Sequence, residues 1–337
     1  FPNWDRVACF LIEAMLRKEG VDARLVKETP DSIKRSMSMN SGQCIPLSVM
    51  VQNFIDYIEE NGLNPRNTVI WNPKSKLACN IGMFPFFTKQ LFKAHGRGME
   101  NVGVYTGEMT FTDFPIRVVV KSYFAHMFAG YLNRIACSIR PYENEKGATD
   151  RAIDEVVSIL YDTFLNDGSK EKALDHIIGR FEKIAVTRTK RPKVAIFGDL
   201  YVRDNEVMNQ ELIRTIEKNG GEVVTTPYSE FMQIVSAPYL KKWLRQGQIG
   251  EVALLTVLQK IARMIEKKYY RYFSRILKDN DDYRKYCADP DDIFPLFGLK
   301  TVHTGESMEN ILKIFYLVKK YPDLSLFVQT NPSYCCP

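Results

Sequence analysis

The chain has 337 residues, 45% of them hydrophobic, 26% charged and 12% aromatic, with a formal net charge of +6. That length allows two domains with their own cores, and the modest positive charge falls short of a nucleic-acid-binding signature. No apolar run reaches the roughly 18 to 20 residues of a membrane span and no signal peptide opens the chain, so a cytoplasmic protein is expected. Seven scattered cysteines are too few for a disulfide-stapled secreted fold and fit a reducing compartment in which some serve as metal ligands.

In chain order, helical spacing of Val7, Phe10, Leu11, Ala14 and Met15 predicts a helix from about Asp5 to Glu19. Cys9 inside it reads as a small core hydrophobe. Gly20 ends that helix, Val21 to Val26 reads as a strand, and Thr29-Pro-Asp-Ser marks a turn or a short helix entry. The polar loop Ser36 to Gln43 then leads through Cys44 into a helix from about Pro46 to Glu60. A cysteine there meets unpaired N–H groups and the positive end of the helix dipole, which favour a thiolate; the plainer reading is a buried thiol at a helix start.

Thr68 to Trp71 reads as a short buried strand, followed by a polar loop, Cys79, and a helix carrying Phe86, Phe87, Leu91 and Phe92. Strand, polar loop, cysteine and helix thus recur. Asn101 to Tyr105 reads as a strand and Val118 to Ile135 as a helix, with Cys137 on its apolar side as core. A helical section from Thr149 to about Ile184 breaks at Asn166-Asp-Gly168. The basic stretch Arg188 to Lys193 reads as a solvated linker.

Val194-Ala-Ile-Phe-Gly198, a helix through Leu212, Ile213 and Ile216, and the strand Glu222 to Thr226 form a β-α-β unit. A single Gly at that strand end is not a dinucleotide fingerprint, and no Walker-type loop is present. Residues 240–278 read as helical. The cluster Lys267 to Phe273 there is an amphipathic surface helix in preference to a base-stacking platform. Cys287 lies in a charged loop and reads as incidental. Thr304 to Glu309 looks like a helix start, and the helix Asn310 to Tyr321 delivers an apolar, buried strand, Leu324 to Val328.

The turn after that strand, Asn331-Pro-Ser-Tyr-Cys335-Cys336-Pro337, sits where open α/β sheets place their ligands. A strand and turn with no following helix reads as part of a longer protein. Cys44, Cys79 and Cys335 are far apart in sequence and lack the short C-x-x-C or H-x-x-x-H pairs of zinc sites, and none of the four histidines adjoins a candidate cysteine. Soft thiolates on separate loops suit an iron–sulfur cubane, and three of them leave one iron open. A zinc site on the same cysteines is the competing metal reading. Glu108, Asp199, Tyr201 and Glu306 lie near strand ends or motif loops, and the sequence assigns none of them a role.

Gly-Gln-Cys44-Ile-Pro, Ala-Cys79, Arg140-Pro-Tyr-Glu143, Gly198-Asp-Leu-Tyr-Val-Arg-Asp-Asn205, Gly305-Glu306 and Asn331-Pro-Ser-Tyr-Cys335-Cys-Pro337 occur in one order. Together they resemble the 2-hydroxyacyl-CoA dehydratase component and activase-related superfamily, which includes the double-cubane cluster proteins. The likeness is strongest to the carboxy-terminal region of long, activase-fused members. The early cysteine motif of the dehydratase subunits is missing.

The resemblance implies an α/β protein of two domains, with mostly parallel sheets flanked by helices and a cluster site between them at strand carboxyl ends. The expected division is a first domain over 1–145, a helical connection over 146–190 and a second domain over 191–337. Carried over by motif, Cys44, Cys79 and Cys335 are the ligands of a [4Fe–4S] cluster, single or double-cubane. Cys336 stands where many relatives have another residue and is a further candidate metal ligand. The resemblance also implies an ATP-dependent activase as electron donor and an acyl-CoA or other small molecule as substrate. A homodimer or heterodimer is expected, with no nucleic-acid or membrane partner. The alternative is a non-catalytic interaction domain of a large activase-related protein, without a cluster.

Overall fold

The computed structural model describes residues 1–72, 79–107, 115–278, 286–287, 289–300 and 306–335, leaving aside the side chains at 231, 232, 235, 306, 307 and 309. Glu108, Gly305, Cys336 and the Glu306 side chain therefore lie outside the described residues. The architecture is mixed, predominantly helical with two small parallel sheets.

Helix α1 (Arg6–Lys18) starts where Asp5 accepts the Ala8 N–H at 2.7 Å, and helix α2 (Pro30–Ser36) at a Thr29/Ser32 capping box. Between them the expected strand does not form. Val26 makes only an isolated bridge to Pro2, and the Leu25 N–H bonds to the Glu13 carboxylate at 3.1 Å instead of to a ladder partner. Helix α3 (Ile45–Glu60) precedes strand β1 (Val69–Trp71), then come helix α4 (Phe84–His95) and strand β2 (Gly103–Tyr105). β1 and β2 pair in parallel, Val69 opposite Gly103, and α3 and α4 close an apolar cluster containing Leu47, Met50, Phe54, Ile70 and Phe92.

Helices α5 (Ile116–Ile139), α6 (Ala148–Leu165) and α7 (Lys170–Glu182) build the largest apolar cluster together with α1. The same cluster takes Tyr269, Tyr270, Tyr272 and Phe273 from far along the chain, with Tyr131 and Phe273 stacked at 4.8 Å. The aromatic residues of the Lys267 to Phe273 stretch are thus core, while Lys267 and Lys268 stay outside. The basic linker is tied down as well: Arg188 lies 4.5 Å from the centre of the Tyr142 ring, and Lys193 pairs with Asp323 at 2.7 Å.

Strand β3 (Lys193–Gly198) is followed by a one-turn helix α8 (Leu200–Arg203), helix α9 (Leu212–Lys218) and strand β4 (Glu222–Val224). Helix α10 (Tyr228–Arg245) begins before the expected helical region. Gly247, at φ 73°, separates it from helix α11 (Ile249–Leu277). The turn α12 (Pro290–Ile293) and helix α13 (Glu306–Lys320) lead to strand β5 (Leu324–Thr330). The sheet order is β4–β3–β5, all parallel. Central β3 is buried along nearly its whole length, which explains its unbroken apolar run. β5, expected to be buried, takes the outer position, and Leu326 is 55% exposed. A buried ion cluster ties α5, α10 and α13 together: Lys320 donates to Glu230 at 2.8 Å, with Arg134 on the other carboxylate oxygen at 3.6 Å.

The chain leaves β3 for β4 on one side and returns as β5 on the other. The order therefore reverses at β3, and its carboxyl end beside β5 is the crevice in which such sheets bind ligands. Gly198 closes that end at φ 121°, and a Cβ there would stand 2.2 Å from the Thr330 carbonyl oxygen. Only glycine lets the two strand ends approach this closely.

Candidate cysteine site at the strand ends

Three segments meet at this crevice. The turn after β5 presents Cys335, and the Ser333 carbonyl oxygen accepts the Ile45 N–H at 3.4 Å, which docks the turn on the first residue of α3. Cys44 is the N-cap of α3 and uses no side-chain capping bond, so its sulfur is left to other partners. Cys335, Asp199 and Cys79 all lie within electrostatic reach of that sulfur, Cys335 acting on it most strongly. Cys79 in turn caps a 3-10 turn, Asn80–Met83, that runs into α4. Cys335 and Cys79 are thus both near enough to Cys44 to act on its charge. Cys336 lies outside the described residues.

The expectation that the helix start would favour a Cys44 thiolate is not met. Contact with the Cys335 thiol comes first, then burial, then the charges of Cys335, Asp199 and Cys79; together they push the Cys44 thiol well above its usual range. These effects outweigh the α3 dipole, whose contribution is limited to about 1–2 kcal/mol. Without a bound cation the Cys44 thiol is therefore neutral at physiological pH. A cation among these sulfurs would reverse the balance, and its binding would release protons.

Asp199, which the sequence left without a role, is nine-tenths buried and caps α8, its carboxylate accepting the Val202 N–H at 2.8 Å. Burial raises its pKa, against the opposing pull of the Val202 and Tyr201 amides and the Arg203 charge. Tyr201, the other unassigned residue, donates its hydroxyl proton to the buried Glu28 carboxylate. Asn205 reaches the Asn3 carbonyl at 2.8 Å, and Arg203, buried beneath the Tyr228 ring, pairs with Asp204. The stretch Gly198 to Asn205 is therefore a polar lock holding the β3 turn against the amino-terminal segment. A signal for it was present: five polar or charged positions within eight residues, directly after an apolar strand, need buried partners.

The described histidines are engaged elsewhere. His126 accepts the Trp4 indole N–H on Nε2 at 3.1 Å, so Nδ1 carries the proton that it donates to the Ser122 carbonyl at 2.8 Å. Burial lowers its pKa and keeps it neutral. His95 contacts Glu59 at 3.3 Å, and His176 lies 3.9 Å from Glu155. Among the described residues no three His, Cys, Asp or Glu side chains stand close enough to hold one metal ion. Two surface grooves, one between α6 and α7 of about 730 Å³ and one beside Arg24 and Tyr57 of about 530 Å³, are lined by residues of neither the cysteines nor the β3 turn.

Among the described residues no helix is long and apolar enough to cross a membrane. The chain matches none of the family models, curated proteins or solved structures with which it was compared.

Proposed function

We propose that this chain is an iron–sulfur redox protein of the kind found among 2-hydroxyacyl-CoA dehydratase components and activase-related proteins. Cys44, Cys79 and Cys335 would hold a [4Fe–4S] cluster, alone or as one half of a linked pair, with Cys336 as a further candidate ligand. The observation that carries this reading is that Cys335 and Cys79 both lie near enough to Cys44 to act on its charge, Cys335 most strongly. These cysteines come from three separate loops, at two helix starts and one strand end.

When bound, such a cluster supplies low-potential one-electron chemistry, for reduction or for radical dehydration of an acyl-CoA or another small molecule. The chain's own residues do the rest. Gly198 and the β5 end fix the position of the Cys335 turn. The burial of Cys44 shields that side of the site from water. Asp199 adds negative potential beside the sulfurs, which opposes reduction of a bound centre and so lowers its potential. An ATP-driven activase is the electron donor in this reading, and the cytoplasm its compartment. The layout of a first domain over 1–145 and a second over 191–337 belongs to the same proposal. Separate apolar clusters surround the β1–β2 and the β4–β3–β5 sheets, while the largest cluster joins helices from all three segments.

Protein purified without oxygen should be brown and carry roughly four iron and four sulfide per cubane. Cys44→Ser, Cys79→Ser and Cys335→Ser should each lower that content. Colourless, iron-free protein, or iron unaffected by all three substitutions, would overturn the proposal. A folded, iron-free chain that still binds an activase would identify an interaction domain instead, and zinc in place of iron would identify the other metal reading.

A further inference from the structure

We propose that the solvent face of α11 between Leu254 and Met264 is a docking seam for an acidic, amphipathic helix of a partner protein. No residue of the cysteine site takes part. α10 and α11 form a helical hairpin that turns at Gly247. The far end of α11 is held in the core: Tyr269, Tyr270, Tyr272 and Phe273 enter the largest apolar cluster, and Lys268 pairs with Glu171 at 2.5 Å. Ahead of it, no residue from 249 to 264 is buried, and none belongs to an apolar cluster of the described residues.

The outward face of that stretch is nevertheless apolar. Leu254, Val257, Ile261 and Met264 are between 39% and 66% exposed. They recur at i, i+3, i+7 and i+10 and so form one stripe, about 15 Å long at roughly 1.5 Å per residue. Single exposed apolar side chains are ordinary, but a continuous stripe on one helix marks a surface that another molecule covers. Val252, Leu255 and Leu258 are half-buried and lie off the stripe, on the side that packs against α10. The seam is therefore narrow. Such a/d spacing accepts one helix, knobs into holes, whereas a helix lying in a lipid surface needs a broad apolar face.

Charge narrows the occupant further. Residues 240–268 hold seven basic and two acidic residues, a formal +5 within a chain of +6. One of the two acids, Glu266, is turned toward Gln233 on α10. Lys260 and Lys267 are exposed one heptad apart along one edge of the stripe, and neither has an acidic partner among the described residues. A partner helix with Glu or Asp at the facing positions pairs with both. A second copy of this chain does not, because a two-fold axis through the middle of the stripe sets Lys260 against its own copy.

The test uses the full chain and a fluorescent synthetic helix of about three heptads, with leucine at a and d and glutamate at e and g. Fluorescence anisotropy should show that this peptide binds, and that its counterpart with lysine at e and g binds at least about tenfold more weakly. Ile261→Gln should weaken the acidic peptide by about tenfold or more, and Lys260→Glu combined with Lys267→Glu should reverse the preference between the two peptides. These side chains are exposed, so each variant should keep the circular dichroism spectrum of the parent. Binding of neither peptide, equal binding of both, or a preference unmoved by the charge reversal would sink the proposal. So would another occupant of the stripe: a dimer in sedimentation that Ile261→Gln dissociates, or binding to phosphatidylserine vesicles that Ile261→Gln abolishes. The iron content of anaerobic protein bears on none of these outcomes.

Discussion

Cys44 and Cys79 each stand one residue ahead of a helical segment, yet their surroundings differ. The loop before Cys44 is built: Asn40 donates its amide to the Gln43 carbonyl at 2.9 Å and to the Ser48 hydroxyl at 2.8 Å, and accepts the Gly42 N–H at 2.9 Å. The helix it opens runs for 16 residues, with Leu47, Val49 and Val51 wholly inside. Cys79 opens only a four-residue 3-10 turn, and the first turn of α4 beyond it exposes Phe86 by 58%. The same local pattern thus yields one thiol fixed by a packed helix and a hydrogen-bonded loop, and a second on a lightly covered turn. Cys44 is the anchor of the site and Cys79 the more accessible of the two.

The sharpest way to break that anchor is to move its partner. Gly198→Ala places a methyl group against the Thr330 carbonyl and forces a side chain into a conformation that favours glycine, so β5 and the Cys335 turn must shift. The expected cost is about 3 kcal/mol, seen in a denaturant titration, with faster alkylation of Cys335 but unchanged alkylation of Cys79. A stability unchanged within error would show that the close approach of β3 and β5 does not hold the turn.

Truncating the two cysteines sharpens the comparison directly. Cys44→Ala removes a buried sulfur and should destabilise the metal-free chain by about 1–2 kcal/mol, whereas Cys79→Ala should stay within about 0.5 kcal/mol. Equal effects would mean that the two helix starts are packed alike.

The smallest effect is chemical. In the metal-free protein at mildly alkaline pH, iodoacetamide should modify Cys79 on the order of tenfold faster than Cys44, because attack needs an accessible thiolate. The sign of the pH dependence follows from the upward shift at Cys44. Its thiolate appears only above the usual thiol range, so its labelling rate keeps climbing with pH after an ordinary thiol has levelled off. Peptide-resolved labelling from pH 7 to pH 10 measures this, and a Cys44 rate that levels off near pH 9 would contradict the shift.

Much of this arrangement was legible in the residues. Cys44 ahead of Pro46, Cys79 ahead of a phenylalanine-rich helix and Cys335 after an apolar strand all mark element boundaries that local propensity dictates, and α1, β3 and α13 follow from plain periodicity. What was hidden depends on partners distant in the chain. Val21 to Val26 has strand composition but no neighbouring strand, and the Glu13 carboxylate takes the Leu25 N–H instead. β5 is as apolar as a central strand, and only the order β4–β3–β5 places it at the side. The Glu28–Tyr201 and Asn3–Asn205 bonds join residues some two hundred positions apart, and spacing rules do not reach that far. The helix-dipole argument for Cys44 named a real effect and missed the larger ones, the neighbouring Cys335 thiol and burial.

The parallel pairing of β5 with β3 has a consequence for the order in which the protein is made. α3 leaves the ribosome long before β5 exists, and at about 5–20 residues per second the Cys44 thiol waits roughly 15 to 60 s for its counterpart. During that interval the amino-terminal helices and the β1–β2 pair can fold, but the crevice at β3 has only one wall. Anything that binds across it must be delivered after β5 has emerged, which makes filling of the site a step separate from the folding of the segments before it.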